Sequence, residues 1–157
     1  ICTMTTPRIY CDTSVFGGVY DDLFSEASRR FFGLIREATI KLVVSPVVGR
    51  EIEEADAPEA VKSIYREMLG YAEIVDITEA AIELQQAYIQ EGVVSPKWEG
   101  DALHVAVATV HACSVIVSWN FKHIVNYRRI PLYNAVNTLR GYAEISIFSP
   151  LEVTQDD

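Results

Sequence analysis

RIYCDTS, residues 8–14, places an apolar run of strand length directly before a carboxylate and two hydroxyl groups. Similar apolar runs lie further along the chain, at residues 41–45, 73–76, 115–118 and 144–148. Longer segments with helical spacing lie between them, at residues 23–38, 78–90 and 101–113. Short strands that alternate with longer helices predict an α/β fold, with a central, mostly parallel sheet of about five strands flanked by helices.

Acidic and amide side chains stand where such a fold would bring them together. Asp12 follows the first predicted strand and Asn120 follows the fourth, and ligand sites of parallel sheets form at these carboxyl ends. Glu51 lies at the edge of the apolar stripe of the helix predicted after residue 45, and Asp101 opens another helix. We expect the carboxylates of Asp12, Glu51 and Asp101 to meet in one anionic pocket. Because Mg²⁺ and Mn²⁺ prefer oxygen ligands, the pattern predicts a site for a divalent cation.

Each acid also has a purely structural interpretation. Asp12 could cap the segment that follows its strand, and Asp101 could be stabilised by the dipole of its own helix. Glu51 could pair with an arginine, while Glu54 is the alternative ligand on the same helix. These alternatives remain open for each residue taken singly.

Two histidines share a helical face with Asp101, namely His104 and His111. An Asp-His pair could bind a metal. We interpret both histidines as neutral, partly buried side chains, because a site rich in oxygen ligands favours Mg²⁺ over zinc.

Cations are concentrated in one part of an otherwise acidic chain. The net charge of −9 at pH 7 argues against a general nucleic-acid binder. Residues 102–143 nevertheless lack Asp and Glu altogether and contain four basic residues, Lys122, Arg128, Arg129 and Arg140. Buried helices need few charges of either sign, but the survival of cations alone predicts a phosphate-binding role for these four residues.

The bulk composition predicts a single domain in the cytoplasm. The 157 residues, 50% of them hydrophobic, suffice for one core, and no apolar stretch reaches the length of a membrane span. Three widely spaced cysteines suit a reducing compartment better than a disulfide framework. We expect one domain over residues 1–157, with residues 1–6 as a flexible or non-native extension and residues 154–157 as a tail.

The order of these segments resembles that of a PIN domain. DTS at residues 12–14, the helix that carries Glu51, GDALH at residues 100–104 and VSWN at residues 117–120 follow one another as in the VapC-type toxin ribonucleases of prokaryotes. The resemblance extends over nearly the whole chain and implies a three-layer PIN-like fold. By position, it identifies Asp12, Glu51 and Asp101 as the catalytic and metal-holding acids.

The resemblance also assigns supporting residues and shows two departures. Thr13 and Ser14 supply hydroxyls beside the first acid, and Ser14 matches a position that often assists the metal site. Asn120 stands where the fourth acid of the family is usually aspartate, and Lys122 replaces a further acid. As a catalytic residue, Asn120 would lie beside the cation, where its amide can supply an oxygen or orient water without adding charge. Three certain carboxylates therefore remain where the family has four or five.

The implied activity is hydrolysis of RNA phosphodiesters by a Mg²⁺- or Mn²⁺-dependent endoribonuclease, the toxin of a type II toxin–antitoxin pair. The implied partners are an RNA substrate, a cognate antitoxin and a second copy of the chain. The second copy would bind through the apolar helices at residues 23–38 or 59–71. A degenerate PIN domain that binds RNA or a protein without cleavage is the alternative that Asn120 and Lys122 favour. An unrelated phosphohydrolase acting on small phosphate esters is a third interpretation.

Overall fold

Within residues 6–155, which the computed structural model describes, five strands form one parallel sheet. The strands are β1 Arg8–Cys11, β2 Lys41–Val44, β3 Glu73–Ile74, β4 Val115–Val117 and β5 Ser146–Phe148. They lie in the order β3-β2-β1-β4-β5, and each neighbouring pair is parallel. The prediction of a central parallel sheet of about five strands is confirmed.

Helices cover both faces of this sheet. They are α1 Thr13–Gly18, α2 Ser25–Arg36, α3 Pro46–Glu54, α4 Glu59–Leu69, α5 Glu79–Gln90, α6 Glu99–Val110, α7 Ile130–Leu139 and α8 Pro150–Val153. Side chains alternate between the faces along a strand, so Ile9 and Cys11 pack with α1–α4 while Tyr10 packs with α5–α7. Two hydrophobic cores therefore lie on opposite sides of the sheet, and the predicted three layers are confirmed.

The register of β1 and β4 brings the polar ends of these strands together. Cys11 pairs with Val117, and the N–H of Asp12 donates to the carbonyl of Val117 at 3.3 Å. Asp12 directly follows β1 and Ser118 directly follows β4, so both residues lie at the same edge of the sheet.

Helix α6 is buried along most of its length, as its apolar sequence predicts. Residues 102–109 are all buried. The helix begins at Glu99, so Asp101 is its third residue and lies in the first turn instead of opening the helix. It ends at Val110, before the predicted end at residue 113, because Ala112 takes a left-handed φ of 57° that no α-helix continues.

Other bounds differ from the sequence pattern for local reasons. The last strand begins at Ser146 and not at residue 144, because the side chain of Asn134 binds both the N–H and the carbonyl of Ile145, at 2.8 and 3.0 Å. Helices α1, α7 and α8 are not predicted by the pattern. Helix α1 has only 6 residues and ends in two glycines, which are poor helix formers.

Residues 1–5 and 156–157, which include most of the expected extension and half of the expected tail, lie outside the described residues. Thr154 is buried, and its hydroxyl donates to the carbonyl of Pro150 at 2.7 Å. Cys11 and Cys113 are both free and buried. None of the helices in the described part of the chain is long and apolar enough to cross a membrane.

Candidate functional site

Asp12 is a buried carboxylate held by two hydroxyl groups. It lies at the N-cap position of α1, yet its side chain makes no capping hydrogen bond. Ser14 donates to its Oδ1 at 2.6 Å, and Ser118 donates to its Oδ2 at 2.7 Å. Burial raises the pKa of Asp12 above its ordinary value, although the charge of His104 and the two hydroxyls act in the other direction. The negative charge on this side chain is therefore only partly compensated.

Glu51 lies on α3 and faces the same edge of the sheet. Its Oε1 accepts hydrogen bonds from Thr13 Oγ1 at 3.0 Å and from His104 Nε2 at 2.5 Å. Burial alone would raise the pKa of Glu51, but these hydrogen bonds and the charge of His104 lower it below the ordinary value. Glu54, the predicted alternative ligand, is exposed at the last position of α3.

Asp101 is paired with a second histidine. The Oδ2 atom of Asp101 lies 3.1 Å from Nδ1 of His123, and the histidine ring is 5% exposed. The ring of Trp98 stacks on His123 with 4.2 Å between centroids, and Lys97 lies 5.1 Å from the Trp98 ring. The third predicted acid is therefore held beside an aromatic stack at the start of α6.

His104 lies in the electric field of the three predicted acids. It is 2% exposed, and burial would lower the pKa of its ring. The hydrogen bond to Glu51 and the charges of Asp12, Glu51 and Asp101 outweigh burial and raise the pKa above the ordinary value. All three carboxylates are thus near enough to one buried imidazole to favour its charged form.

The predicted cage of three carboxylates is not present as such. Among residues 6–155, no three His, Cys, Asp or Glu side chains are spaced so that they could hold a metal ion. Glu51 and Asp101 each have a histidine as a neighbour, at 2.5 and 3.1 Å. The donor chemistry still fits a hard cation, since the acids offer oxygen and Asp12 lacks full charge compensation.

Asn120 is connected to the acids through its backbone and not through its side chain. Its N–H donates to Ser118 Oγ at 2.9 Å, and Ser118 in turn binds Asp12. Its side-chain Oδ1 accepts the N–H of His123 at 2.9 Å, as a capping residue does. The amide oxygen predicted to lie beside the cation therefore stabilises the turn that carries His123.

Solved structures of bacterial proteins share the fold of this chain. One is VapBC2 from Rickettsia felis, solved with a DNA fragment from its promoter. The alignment covers 90% of this chain and 98% of that chain, at 15% identity and with a TM-score of 0.57. VapC20 from Mycobacterium tuberculosis, a Sarcin-Ricin loop cleaving toxin, aligns with 88% of this chain and 98% of its own at 14% identity, with a TM-score of 0.56. The chain has a VapC-type PIN fold. FitAcB from Neisseria gonorrhoeae aligns with 90% of this chain and 97% of its own at 11% identity, with a TM-score of 0.56.

At these identities the similarity establishes the PIN fold and does not by itself establish an activity. No protein-family model and no curated protein sequence matches the chain. The fold nevertheless agrees with the family that the sequence resembles. In this PIN fold, the edge of the sheet where β1 and β4 end carries the buried carboxylate of Asp12.

The four predicted RNA-binding cations do not form one patch on this PIN fold. Lys122 and Arg128 are exposed in the loop before α7. Arg129 is half-buried, and its guanidinium donates to the carbonyls of Lys122 at 2.9 Å and Val93 at 2.5 Å. Arg140 follows α7, whose 10 residues separate it from Arg129 by about 15 Å along the helix axis. Lys122 and Arg128 are the exposed members of the four in the loop that also carries His123, the neighbour of Asp101.

We expect Arg129→Gln and Arg128→Gln to affect different properties. Arg129→Gln removes two charged hydrogen bonds to backbone carbonyls and should lower the free energy of unfolding by about 1–3 kcal/mol. Arg128→Gln alters an exposed side chain and should change stability by less than about 0.5 kcal/mol while weakening RNA binding. Urea unfolding and RNA titration at fixed salt measure the two effects. Equal stability of both variants would contradict the assignment for Arg129.

The sequence pattern misses two residues of this site, Ser118 and His123, and it interprets His104 only as a neutral, partly buried side chain. A signal exists for His104, because it lies one helical turn after Asp101 on a face that the sequence already marks. Ser118 is the last residue of the fourth predicted strand, 115–118, and could have been included by the same rule that selected Asp12. His123 has no such signal, because its approach to Asp101 depends on how a loop folds over α6.

Proposed function

We propose that the protein is a Mg²⁺- or Mn²⁺-dependent endoribonuclease and the toxin of a VapC-type toxin–antitoxin pair. The observation that carries the proposal is the buried carboxylate of Asp12 at the carboxyl edge of a PIN-fold sheet, with Glu51 in contact with His104 and Asp101 one turn before that histidine on α6. Such an acidic edge disfavours a phosphodiester unless a cation accompanies it.

The roles of the residues follow from their chemistry. Asp12, Glu51 and Asp101 would hold the cation with carboxylate oxygens. When bound, the cation would lower the pKa of a water molecule and neutralise charge on the scissile phosphate. Ser14 and Ser118 hold both oxygens of Asp12 and so fix the direction in which it points. A carboxylate not fully engaged with the cation would accept the proton of the attacking water.

The substrate proposal rests on exposed cations and on the toxins that share the fold. Lys122 and Arg128 lie in the loop that follows β4 and would bind phosphates beside the acids. VapC20 is a Sarcin-Ricin loop cleaving toxin. We therefore propose RNA as the substrate, with phosphate contacts supplied by Lys122 and Arg128 and not by Arg129.

The partner proposal follows from the complexes in which related folds occur. VapBC2 was solved bound to promoter DNA, and VapC20 is a toxin by its description. We propose that a cognate antitoxin covers the acidic site of this chain. A homodimer would use apolar side chains that are exposed beside α2 and α4, such as Leu23, 81% exposed, and Tyr71, 41% exposed.

A cleavage assay with labelled RNA and a Mn²⁺ titration tests the activity. We expect cleavage that requires Mn²⁺ or Mg²⁺, stops in EDTA and falls by about 10²-fold or more in Glu51→Gln, because a charged ligand is lost. Glu54→Gln is the matched control, since Glu54 is exposed on the same helix and should leave the rate within about twofold. Loss of activity in Glu54→Gln alone would instead identify Glu54 as the ligand.

A non-cleaving PIN domain that binds RNA or a protein is the second candidate. The observation in its favour is that the Asn120 side chain caps the His123 turn and adds no charge to the site. This candidate predicts RNA binding with no metal-dependent cleavage at any Mn²⁺ concentration. Turnover of small phosphate esters without RNA cleavage would favour the phosphohydrolase interpretation.

A further inference from the structure

A chain of buried hydrogen bonds leads from Glu51 into the core. His104 Nε2 contacts Glu51 Oε1 at 2.5 Å, and His104 Nδ1 lies 2.8 Å from the hydroxyl of Tyr10. The Tyr10 hydroxyl lies 2.8 Å from Ser45 Oγ. Tyr10, Ser45 and His104 are 0%, 1% and 2% exposed. Such a buried polar network stabilises the folded protein only when each polar group in it has its hydrogen-bond partners.

This network connects the elements that carry the three acids. Tyr10 is on β1, two residues before Asp12. Ser45 precedes α3, the helix of Glu51, and His104 is on α6, three residues after Asp101. A shift of any of these elements would therefore break a buried hydrogen bond.

The hydroxyl of Ser45 makes its hydrogen bond within this network and not with the backbone of its own helix. Serine at an N-cap position commonly binds a backbone N–H of its helix, and this contact contributes about 1 kcal/mol. Ser45 occupies the N-cap position of α3 but makes no such side-chain bond. Its hydroxyl is directed to Tyr10 instead.

The hydrogen atoms of the network can be assigned at the Glu51 end. A carboxylate only accepts hydrogen bonds, so the ring of His104 must carry a hydrogen on Nε2. Thr13 donates to the same oxygen, Oε1. Two donors on one oxygen fix the orientation of the carboxyl group and leave Oε2 as the oxygen for a cation.

We propose that His104 is a positioning residue that orients Glu51 for metal binding, with Tyr10 and Ser45 holding the imidazole ring. The inference rests on the proposed function, because it assigns Glu51 to the cation. His104 itself touches neither substrate nor cation in this role. It acts only by donating from Nε2 to Glu51 while Nδ1 is held by Tyr10.

Two substitutions of His104 separate its two hydrogen bonds. The side-chain amide of glutamine reaches the position of Nε2, so His104→Gln can still donate to Glu51. The shorter amide of asparagine reaches only the position of Nδ1, so His104→Asn keeps the contact with Tyr10 and loses Glu51. Mn²⁺ affinity, measured from the electron paramagnetic resonance signal of free Mn²⁺, is expected to fall about 10–100-fold in His104→Asn. In His104→Gln it should stay within about threefold of wild type.

The two variants control for each other, since both remove the buried ring and should lose similar stability in thermal unfolding. Tyr10→Phe, which retains the aromatic ring on β1, should also weaken Mn²⁺ binding, because His104 loses the group that holds it. If wild type binds Mn²⁺ and His104→Asn binds it equally well, the positioning role is overturned while the proposed function stands. If wild type binds no Mn²⁺ and cleaves no RNA, the proposed function fails and the inference falls with it.

Discussion

Asp12→Asn is expected to lower metal-dependent RNA cleavage by about 10³-fold or more while leaving the fold intact. The substitution keeps the shape of the side chain but removes the charge of the most buried of the three acids, at 4% exposure. A neutral amide cannot compensate a divalent cation, so both Mn²⁺ affinity and the stabilisation of charge on the phosphate are lost. Single-turnover cleavage of labelled RNA at saturating Mn²⁺ measures the effect.

The same variant should stay close to wild type in stability when no metal is present. Burial raises the pKa of Asp12, so its ionised form destabilises the folded state at neutral pH. The free energy that Asp12 contributes to stability is fully present below the pKa of its carboxyl group in the unfolded chain, about 3.9. It is lost as the pH rises through the higher pKa that the same group has in the folded protein. Asn removes this loss, but its Nδ2 cannot accept one of the two hydroxyl hydrogen bonds. Because the two effects oppose each other, the unfolding midpoint in EDTA at pH 7 should stay close to that of wild type.

Asp22→Asn is the matched control for this prediction, because Asp22 is exposed. It should change neither cleavage nor stability. Retention of full cleavage by Asp12→Asn would remove Asp12 from the active site. A large fall in its unfolding midpoint would show that the ionised carboxylate contributes to the fold itself.

Gly18→Ala is expected to destabilise the protein by about 2–4 kcal/mol, which corresponds to a fall of about 5–15 °C in the unfolding midpoint. A Cβ atom at residue 18 would lie 2.7 Å from Trp119 Nε1 and closer still to Ser28 Oγ. The Trp119 ring cannot retreat easily, since it stacks on Phe24 at 4.2 Å between centroids. The new methyl group would also separate Trp119 Nε1 from Ser28 Oγ, which form a hydrogen bond of 2.7 Å.

Gly17→Ala provides a control in the same helix. A Cβ atom at residue 17 meets no other atom within 4 Å, and alanine is a better helix former than glycine by up to about 1 kcal/mol. We therefore expect Gly17→Ala to be neutral or stabilising. Similar unfolding midpoints for the two variants, measured by circular dichroism, would contradict the close packing of Trp119 against α1.

The Gly18 contact also reaches the site. The backbone N–H of Trp119 donates to Ser14 Oγ at 2.8 Å, and Ser14 donates to Asp12. Displacement of Trp119 should therefore disturb the hydroxyl that holds Asp12. Reduced cleavage by Gly18→Ala at a temperature where the variant is folded would be consistent with this connection.

Much of the fold follows from local patterns in the sequence. The five apolar runs become the five strands, because a buried parallel strand needs a continuous apolar segment. The buried helix α6 is predicted for the same reason, since it is apolar nearly all round. Short helices such as α1 escape prediction, because their glycines and few residues give little periodic signal.

The sequence by itself determined which acids stand at the ends of strands and in the helices beside them, since chain order and strand alternation suffice for that. Only the tertiary structure decided what each acid contacts. His104 meets Glu51 across 53 positions of sequence, and Ser118 meets Asp12 across 106. Likewise, the guanidinium of Arg129 donates to backbone carbonyls instead of facing solvent. Contacts of this kind depend on how helices pack over the sheet, and hydrophobic periodicity, which specifies only the buried face of each element, carries no information about them.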